Sequence, residues 1–465
     1  MPPTPAPSTV TRFTALLAAL ALTACEQTQP AVSGLDAARR DVAAENAPPD
    51  AADEAPGDTA PDSASDVPFD ATVDADAAAD APQEVVLASP GRASTTPFTE
   101  SDETNDSRGP CRMVTAGWGP PGATPVHVEV VAQGLATPWS LAFLPDGDLL
   151  VVERQSGVRR VHAGAPDPAP LLALDVRPRA GTSEWGAHGI ALHPDFARNG
   201  LFYVFYCKRD TGNRVERFRL APDGRSATSD RVIVDGLPTS AYHNGGGLAF
   251  GPDGMLYVST GDGQTPDRAQ DVDGPGGKLL RLTPDGATPA DNPRPDRPWV
   301  MLGIRNSQAF GWLTPDTLFV VDHGPTGELG RGGSDELNVA RAGANLGWPA
   351  VTQCQGFDGF TRPALTWAAP TPPGGAALYT GTSIPSWRGS LLVGVLGARH
   401  LHRVMLDPNV PGRVLGHEVY LDGIFGRIRH VAMGPDGHLY VTTSNCDGRA
   451  ECPPAGDVIL RLTGA

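Results

Sequence analysis

The sequence predicts an all-β protein built as a propeller of about six blades. Three observations carry this. An apolar strand, a Pro-Asp turn and a second apolar strand recur from about residue 126 onward. The copies are spaced by roughly 50 to 70 residues, a period typical of propeller blades and solenoid units. No stretch sustains a long helical period.

The copies are taken in order. Leu141-Ala142-Phe143 and Leu149-Leu150-Val151-Val152 flank Pro145-Asp146-Gly147; Ile190-Ala191-Leu192 and Leu201-Phe202-Tyr203-Val204 flank Pro194-Asp195. Leu248-Ala249-Phe250 and Met255-Leu256-Tyr257-Val258 flank Pro252-Asp253-Gly254; Ala309-Phe310 and Leu318-Phe319-Val320-Val321 flank Pro315-Asp316. A degenerate copy lies at Pro385-Ser386-Trp387 before Leu391-Leu392-Val393, and the last is Val431-Ala432-Met433, Pro435-Asp436-Gly437, Leu439-Tyr440-Val441. Asp-Gly supplies the tight turn with positive φ. The strands are apolar enough to be buried on both faces, as blades packed in a ring are, and closing the ring removes open sheet edges. A β-sandwich is the competing architecture, but it gives no reason for a repeated hairpin at this period.

The 465 residues carry 53 acidic and 36 basic side chains, a net charge of -17. About 19 acidic and about 4 basic residues fall between positions 26 and 108, a net of roughly -15. This Ala/Asp/Pro stretch is too poor in apolar side chains to offset its ordering entropy, and residues 25–108 read as a disordered acidic linker. The propeller domain is expected over 109–465. Without a basic face, nucleic acid is excluded as a partner. Arg12 precedes an apolar run at 13–22 that ends in Leu22-Thr23-Ala24-Cys25. Residues 1–24 therefore read as a lipoprotein signal peptide, with Cys25 as the lipidated residue of an exported, cell-envelope protein. An ordinary signal peptide with an incidental Cys25 is the alternative. Cys446 and Cys452 flank a short loop that a local disulfide would close; the pairing of Cys111, Cys207 and Cys354 stays open.

Four loop clusters carry chemistry, and on a propeller the blade-joining loops meet at one channel mouth. His243 stands in Tyr242-His243-Asn244-Gly245-Gly246-Gly247, where the glycines allow close approach and an imidazole suits a general base. His193, in a Pro turn, and His323, beside a strand end, read as structural. Arg305, Asn306 and Gln308 form a fork for carboxylates, with a loop salt bridge as the plain alternative. Asp322-His323-Gly324-Pro325 and Asp335-Glu336 offer oxygen donors of the kind calcium takes, although acidic loops are commonly just solvated. Arg427 and Arg429 alternate onto one strand face, where they would meet a polyanion or simply solvent.

From about residue 135 to 462 the chain resembles the soluble quinoprotein glucose dehydrogenases and aldose sugar dehydrogenases. The resembling stretches are Ala136-Thr137-Pro138-Trp139, His193-Pro194-Asp195-Phe196, residues 243–262, Ala269-Gln270-Asp271, residues 303–308, His323-Gly324-Pro325, Asp335-Glu336-Leu337-Asn338, Asn345-Leu346-Gly347-Trp348-Pro349 and residues 426–437. The resemblance implies a six-bladed propeller that oxidises aldoses to lactones with pyrroloquinoline quinone (PQQ) and Ca2+, passing electrons to an external acceptor. It implies that His243 is the base, with Asp262 beside it. Arg305, Asn306, Gln308, Arg427 and Arg429 would hold the cofactor, with Glu184 nearby and Trp367 in the pocket wall. The carbonyls of Gly324 and Pro325 would ligate calcium, and Asp335 and Glu336 would sit near a second calcium.

This chain departs from the family pattern at several points. Gly247 stands where Arg is usual, Glu184 where Gln is common, Ser307 where Pro is usual and Leu346 where an aromatic ring is frequent. About Gly397 a Lys is expected, with Arg399 close enough to replace it. Loss of cations beside an anionic cofactor is expected to weaken its binding. Two other functions are therefore weighed: a non-catalytic surface propeller binding carbohydrate or protein, and a calcium-dependent lactone hydrolase.

Overall fold

The computed structural model describes residues 84–87, 111–354 and 359–465; the expected signal peptide, Cys25 and nearly all of the expected linker lie outside them. The described chain is a six-bladed β-propeller. Blade one holds Pro138–Phe143, Leu149–Glu153 and Gly157–His162, with the short strands Ala165–Pro166 and Leu172–Ala173 on its outer edge. Blade two holds Ala187–Leu192, Leu201–Lys208, Gly212–Leu220 and Ala227–Leu237. Blade three holds Gly245–Phe250, Leu256–Thr260, Lys278–Leu282 and Trp299–Leu302. Blade four holds Ser307–Thr314, Thr317–Asp322, Asp335–Ala340 and Leu365–Trp367. Blade five holds Pro373–Leu378, Ser390–Val395, His400–Leu406 and Val414–Tyr420. Blade six takes Ile428–Met433, Leu439–Thr443 and Asp457–Gly464 from the end of the chain and Val126–Leu135 from before blade one.

The first strand of each blade contacts the first strand of the next all the way round, blade six against blade one included. Six apolar clusters fill the seams between neighbouring blades, so every blade is buried on both faces, as the apolar strands require. The recurrent turn has one local structure in three blades. Gly147, Gly254 and Gly437 adopt φ of 94°, 74° and 79°. Asp146, Asp253 and Asp436 each accept the backbone N–H two residues on at 3.1 Å. In blade two the turn is longer, a four-residue helix at Phe196–Asn199 closed by Gly200 at φ 64°.

Before blade one the chain runs as a belt over the outer edges of three blades. Arg112–Val114 pairs in parallel with Leu365–Trp367 of blade four. Pro121 bridges to Val419 of blade five, and Val126–Leu135 then completes blade six. Glu84–Leu87 pairs with Val126–Leu135, so the segment read as a disordered linker contributes a strand. Its Val-Val-Leu run is the one β-prone piece of that stretch, and the edge of blade six offers it unpaired backbone. Disulfides join Cys111 to Cys354 and Cys446 to Cys452, while Cys207 is a buried free thiol.

Burial pushes the imidazoles of His188 and His323 down to about 3 and those of His400 and His430 down to about 4. They stay neutral in the fold, whereas the unfolded chain takes up protons below about 6.5. The unfolded state then binds more protons, so stability is full above that pH and is lost as pH falls toward 4, by about 1.4 kcal/mol per pH unit for each such group. Burial raises Asp322 to about 6 and Glu336 to about 8, which offsets part of the loss. We predict that the thermal midpoint falls steadily between about pH 6.5 and about pH 5 in a calorimetric series; a flat profile would contradict the neutral burial of these histidines.

Candidate active site

Because neighbouring strands are antiparallel, the start of each first strand and the end of each second strand share one rim of the ring. Glu184, His243, Arg305 with Asn306, and Arg427 lie within three residues before the first strands of blades two, three, four and six. Arg154, Asp262, Asp322 and Asp447 end or follow the second strands of blades one, three, four and six. Five blades thus bring the polar clusters to one mouth.

His243 is buried and held at φ 62°, a left-handed conformation that costs a non-glycine residue about 1 kcal/mol. Two carboxylates fix it. Its backbone N–H donates to Glu184 Oε2 at 3.0 Å, and its Nδ1 lies 2.8 Å from Asp262 Oδ1. Asp262 is 0% exposed and fully engaged: the Gln264 N–H also donates to Oδ1 at 2.8 Å and Trp348 Nε1 donates to Oδ2 at 2.9 Å. An acceptor at Nδ1 sets the tautomer and leaves the Nε2 lone pair for proton transfer, the arrangement a general base needs. The sequence places Asp262 near this site and Trp348 in a family-like stretch, but gives Trp348 no role; its ring lies 5.6 Å from the Arg305 guanidinium.

Arg305 and Asn306 are held from below by Asp322, whose two oxygens accept their backbone N–H groups at 2.8 and 2.7 Å. Burial raises Asp322 to about 6, against the pull of those two amides. Asn306 Oδ1 accepts the Gly245 N–H at 2.9 Å, and the Asp262 N–H donates to the Arg305 carbonyl at 2.8 Å, which ties blade three to blade four. The Arg305 side chain reaches the His323 carbonyl at 3.4 Å and pairs with Glu328.

Across the mouth, Arg427 donates to Asp447 Oδ2 from Nη2 at 2.9 Å, and Arg429 lies 3.5 Å from the same oxygen. Arg429 also donates to Gln308 Oε1, which joins the arginine pair to the amide fork. Arg449 lies 3.5 Å from Glu184. Burial opposes ionisation of Glu184, but Arg449 foremost, with Arg154 contributing, holds its carboxyl well below the usual range. Arg154 is 3% exposed, and burial lowers it to about 10. The Nε groups of Arg154, Arg305 and Arg429 are buried with no partner, an arrangement that asks for an anionic ligand.

These contacts answer two of the departures. A Cβ at Gly247 would come within 2.7 Å of Ser259 Oγ and 3.0 Å of the Gln308 carbonyl, so no side chain fits where an Arg was expected. Arg154 and Arg449 bring cations to the same mouth from blade one and from the loop after blade six's second strand, and they balance the extra carboxylate of Glu184. Neither is legible in the sequence, because one Arg at a strand end and one in a loop carry no local signature.

One expectation needs correction. Trp367 is not a pocket wall: it is 1% exposed on the outer strand of blade four, in the apolar seam against blade five, edge-on to His402 at 5.1 Å. Asp335 and Glu336, expected near a second calcium, point to opposite faces of their strand. Both oxygens of Asp335 accept backbone amides, from Gly324 at 2.9 Å and Thr371 at 2.6 Å. Strand alternation turns Glu336 the other way, to the Gln353 N–H at 3.1 Å and Asn338 Nδ2 at 3.3 Å. Although partly exposed, its carboxyl is packed closely enough that burial raises it to about 8. Among the described residues no group of three or more His, Cys, Asp or Glu side chains is arranged to hold a metal. Gly324 and Pro325 follow Asp322 and His323 on the active rim.

The family model for Glucose / Sorbosone dehydrogenase matches residues 135–459. The chain is 32% identical over 374 residues to the aldose sugar dehydrogenase YliI of Escherichia coli K12, covering 72% of this chain and 94% of the relative. Among solved structures, a glucose dehydrogenase-type putative oxidoreductase of Thermus thermophilus superposes with a TM-score of 0.66 at 41% identity, over 72% of this chain and 99% of the other. The PQQ-bound aldose sugar dehydrogenase of Streptomyces coelicolor gives a TM-score of 0.64 at 34% identity, over 74% and 99%. A ring of six blades whose mouth gathers a carboxylate-held imidazole and unpaired arginine donors, with these relatives, places the chain in the glucose/sorbosone dehydrogenase family of sugar-oxidising enzymes.

Proposed function

We propose that this chain oxidises aldose sugars at the anomeric carbon to lactones, with PQQ as the bound cofactor and an external acceptor taking the electrons onward. The observation that carries the reading is a His243–Asp262 pair on the same rim as three buried arginine Nε groups without partners. Such donors suit a compact polyanion: Arg305 and Arg429, together with Arg427, Asn306 and Gln308, would hold the carboxylates and quinone oxygens of PQQ, with Arg154, Glu184 and Arg449 beside them. When bound, PQQ supplies the two-electron acceptor for the hydride that leaves the sugar carbon.

The residues of this chain do the rest. His243 Nε2 takes the hydroxyl proton as the carbon–oxygen bond becomes a carbonyl. Asp262 holds the ring by Nδ1 and stabilises the imidazolium that forms, and Trp348 and the Gln264 amide hold Asp262. Calcium suits the backbone oxygens of Gly324 and Pro325, where it would act as a Lewis acid. Asp335 serves that peptide indirectly, by fixing the Gly324 N–H. We also place the chain in the cell envelope, lipid-anchored at Cys25; two disulfides in the described domain suit an oxidising compartment.

The direct test adds PQQ and calcium to the purified chain and follows dye reduction with a panel of aldoses. Turnover with at least one aldose is expected. No reduction at saturating quinone would defeat the proposal, and lactone hydrolysis without any acceptor would point to a hydrolase instead. Asp262→Asn is predicted to lower kcat by about 10²–10⁴-fold while the PQQ dissociation constant, read by tryptophan quenching, stays within about threefold. Comparable losses in both would make Asp262 a structural residue. Cys25→Ala is predicted to abolish incorporation of labelled palmitate in a bacterial host; retained label would remove the anchor.

A further inference from the structure

Between the second and third strands of blade four lies a small hairpin with no signature in the sequence. The Gly327 N–H donates to the Arg331 carbonyl at 2.8 Å, and Thr326 bridges to Gly332. Much of the hairpin stands clear of the protein: a Cβ at Gly327, Gly330 or Gly332 would meet nothing within 4 Å, and Leu329 is 60% exposed. Arg331 reaches the Pro349 carbonyl at 2.9 Å.

Glu328 turns inward instead and is 28% exposed. Its Oε1 accepts from Arg305 Nη2 and lies 3.3 Å from His243 Nε2, while Oε2 accepts the Thr326 N–H at 2.6 Å. One carboxylate oxygen therefore touches both the imidazole proposed as the base and the guanidinium proposed to hold the cofactor.

We propose that Glu328 is an internal carboxylate ligand of the Arg305–His243 site, a latch that an anionic cofactor has to displace. The inference rests on the cofactor reading above for what displaces it, but not for the latch itself. Two consequences follow from the contacts. Glu328 Oε1, 3.3 Å from His243 Nε2, occupies the place from which a sugar hydroxyl would have to approach that nitrogen. Arg305 likewise spends Nη2 on Glu328 while its Nε stays unpartnered. With the latch closed, the base is blocked and part of the anion fork is filled. A site that is open for only a fraction of the time binds its ligand more weakly by that fraction.

The full chain is compared as wild type, Glu328→Gln and Glu328→Asp, with unchanged thermal midpoints as the check on folding. Limited trypsin digestion at Arg331, without any ligand, reads whether Glu328 holds the hairpin down. PQQ titration by tryptophan quenching, with calcium and no sugar, reads the competition. We expect Glu328→Gln to be cleaved at Arg331 several-fold faster and to bind PQQ about tenfold tighter, since a charge-assisted contact no longer has to be broken. Glu328→Asp, too short to reach both partners, should fall between. Equal cleavage rates would overturn the latch. Faster cleavage with unchanged or weaker PQQ binding would overturn the competition. If no protein binds PQQ, the cofactor reading fails, and the cleavage rates alone decide whether Glu328 closes the site.

Discussion

The antiparallel pairing of Val126–Leu135 with Asp457–Gly464 joins residues from before blade one to the last blade and closes the ring. Its register runs from Asp457 opposite Leu135 to Gly464 opposite Val126, with two irregularities along the way. Without it, blades six and one would lose their shared seam of Ala132, Leu135, Leu141, Val151 and Ile459. The rim depends on the same closure. Asp457 accepts the Thr137 N–H at 3.1 Å from blade one and the Asn445 N–H at 2.6 Å from blade six, so one buried carboxylate fixes the seam and the loop that presents Asp447.

Closure concentrates charge. Arg154, Arg305, Arg427 and Arg429 reach one mouth, buried, together with Glu184, Asp262, Asp322 and Asp447. Taking so many ions from water is costly unless each finds a partner. The carboxylates find theirs in arginines, backbone amides and Trp348. Three of the arginines keep an unpartnered Nε, so the deficit lies on the donor side. A polyanion entering the mouth would relieve it, which is why the same geometry that makes the mouth costly favours a quinone with several carboxylates over a neutral sugar alone. Glu328 meets Arg305 from within the chain at Nη2 but leaves its Nε without a partner.

The fold was legible because blade-forming hairpins are local. Pro145-Asp146-Gly147, Pro252-Asp253-Gly254 and Pro435-Asp436-Gly437 each specify a turn that needs no distant partner, and the apolar strands on either side announce burial on both faces. His243, Arg305 and Arg427 stood out for similar reasons, in glycine-rich or amide-rich loops ahead of strands. What escaped notice was long-range. Trp348 meets Asp262 across 86 positions, and Arg449 meets Glu184 from the far end of the chain. The pocket-wall place of Trp367 came only from the family resemblance, whereas the residue packs in the seam between blades four and five. The two backbone amides that hold Asp335, from Gly324 and Thr371, are long-range or loop contacts with no mark in the sequence.

The central claim is that one rim of this ring holds a polycarboxylate quinone between its two arginine groups. The most direct measurement is a difference density map from crystals soaked with PQQ and calcium. The account predicts planar density in contact with both Arg305 and Arg429, beside His243 Nε2, with the Glu328 side chain withdrawn. Density elsewhere on the molecule, or an empty mouth with Glu328 still on Arg305 at saturating quinone, would contradict it.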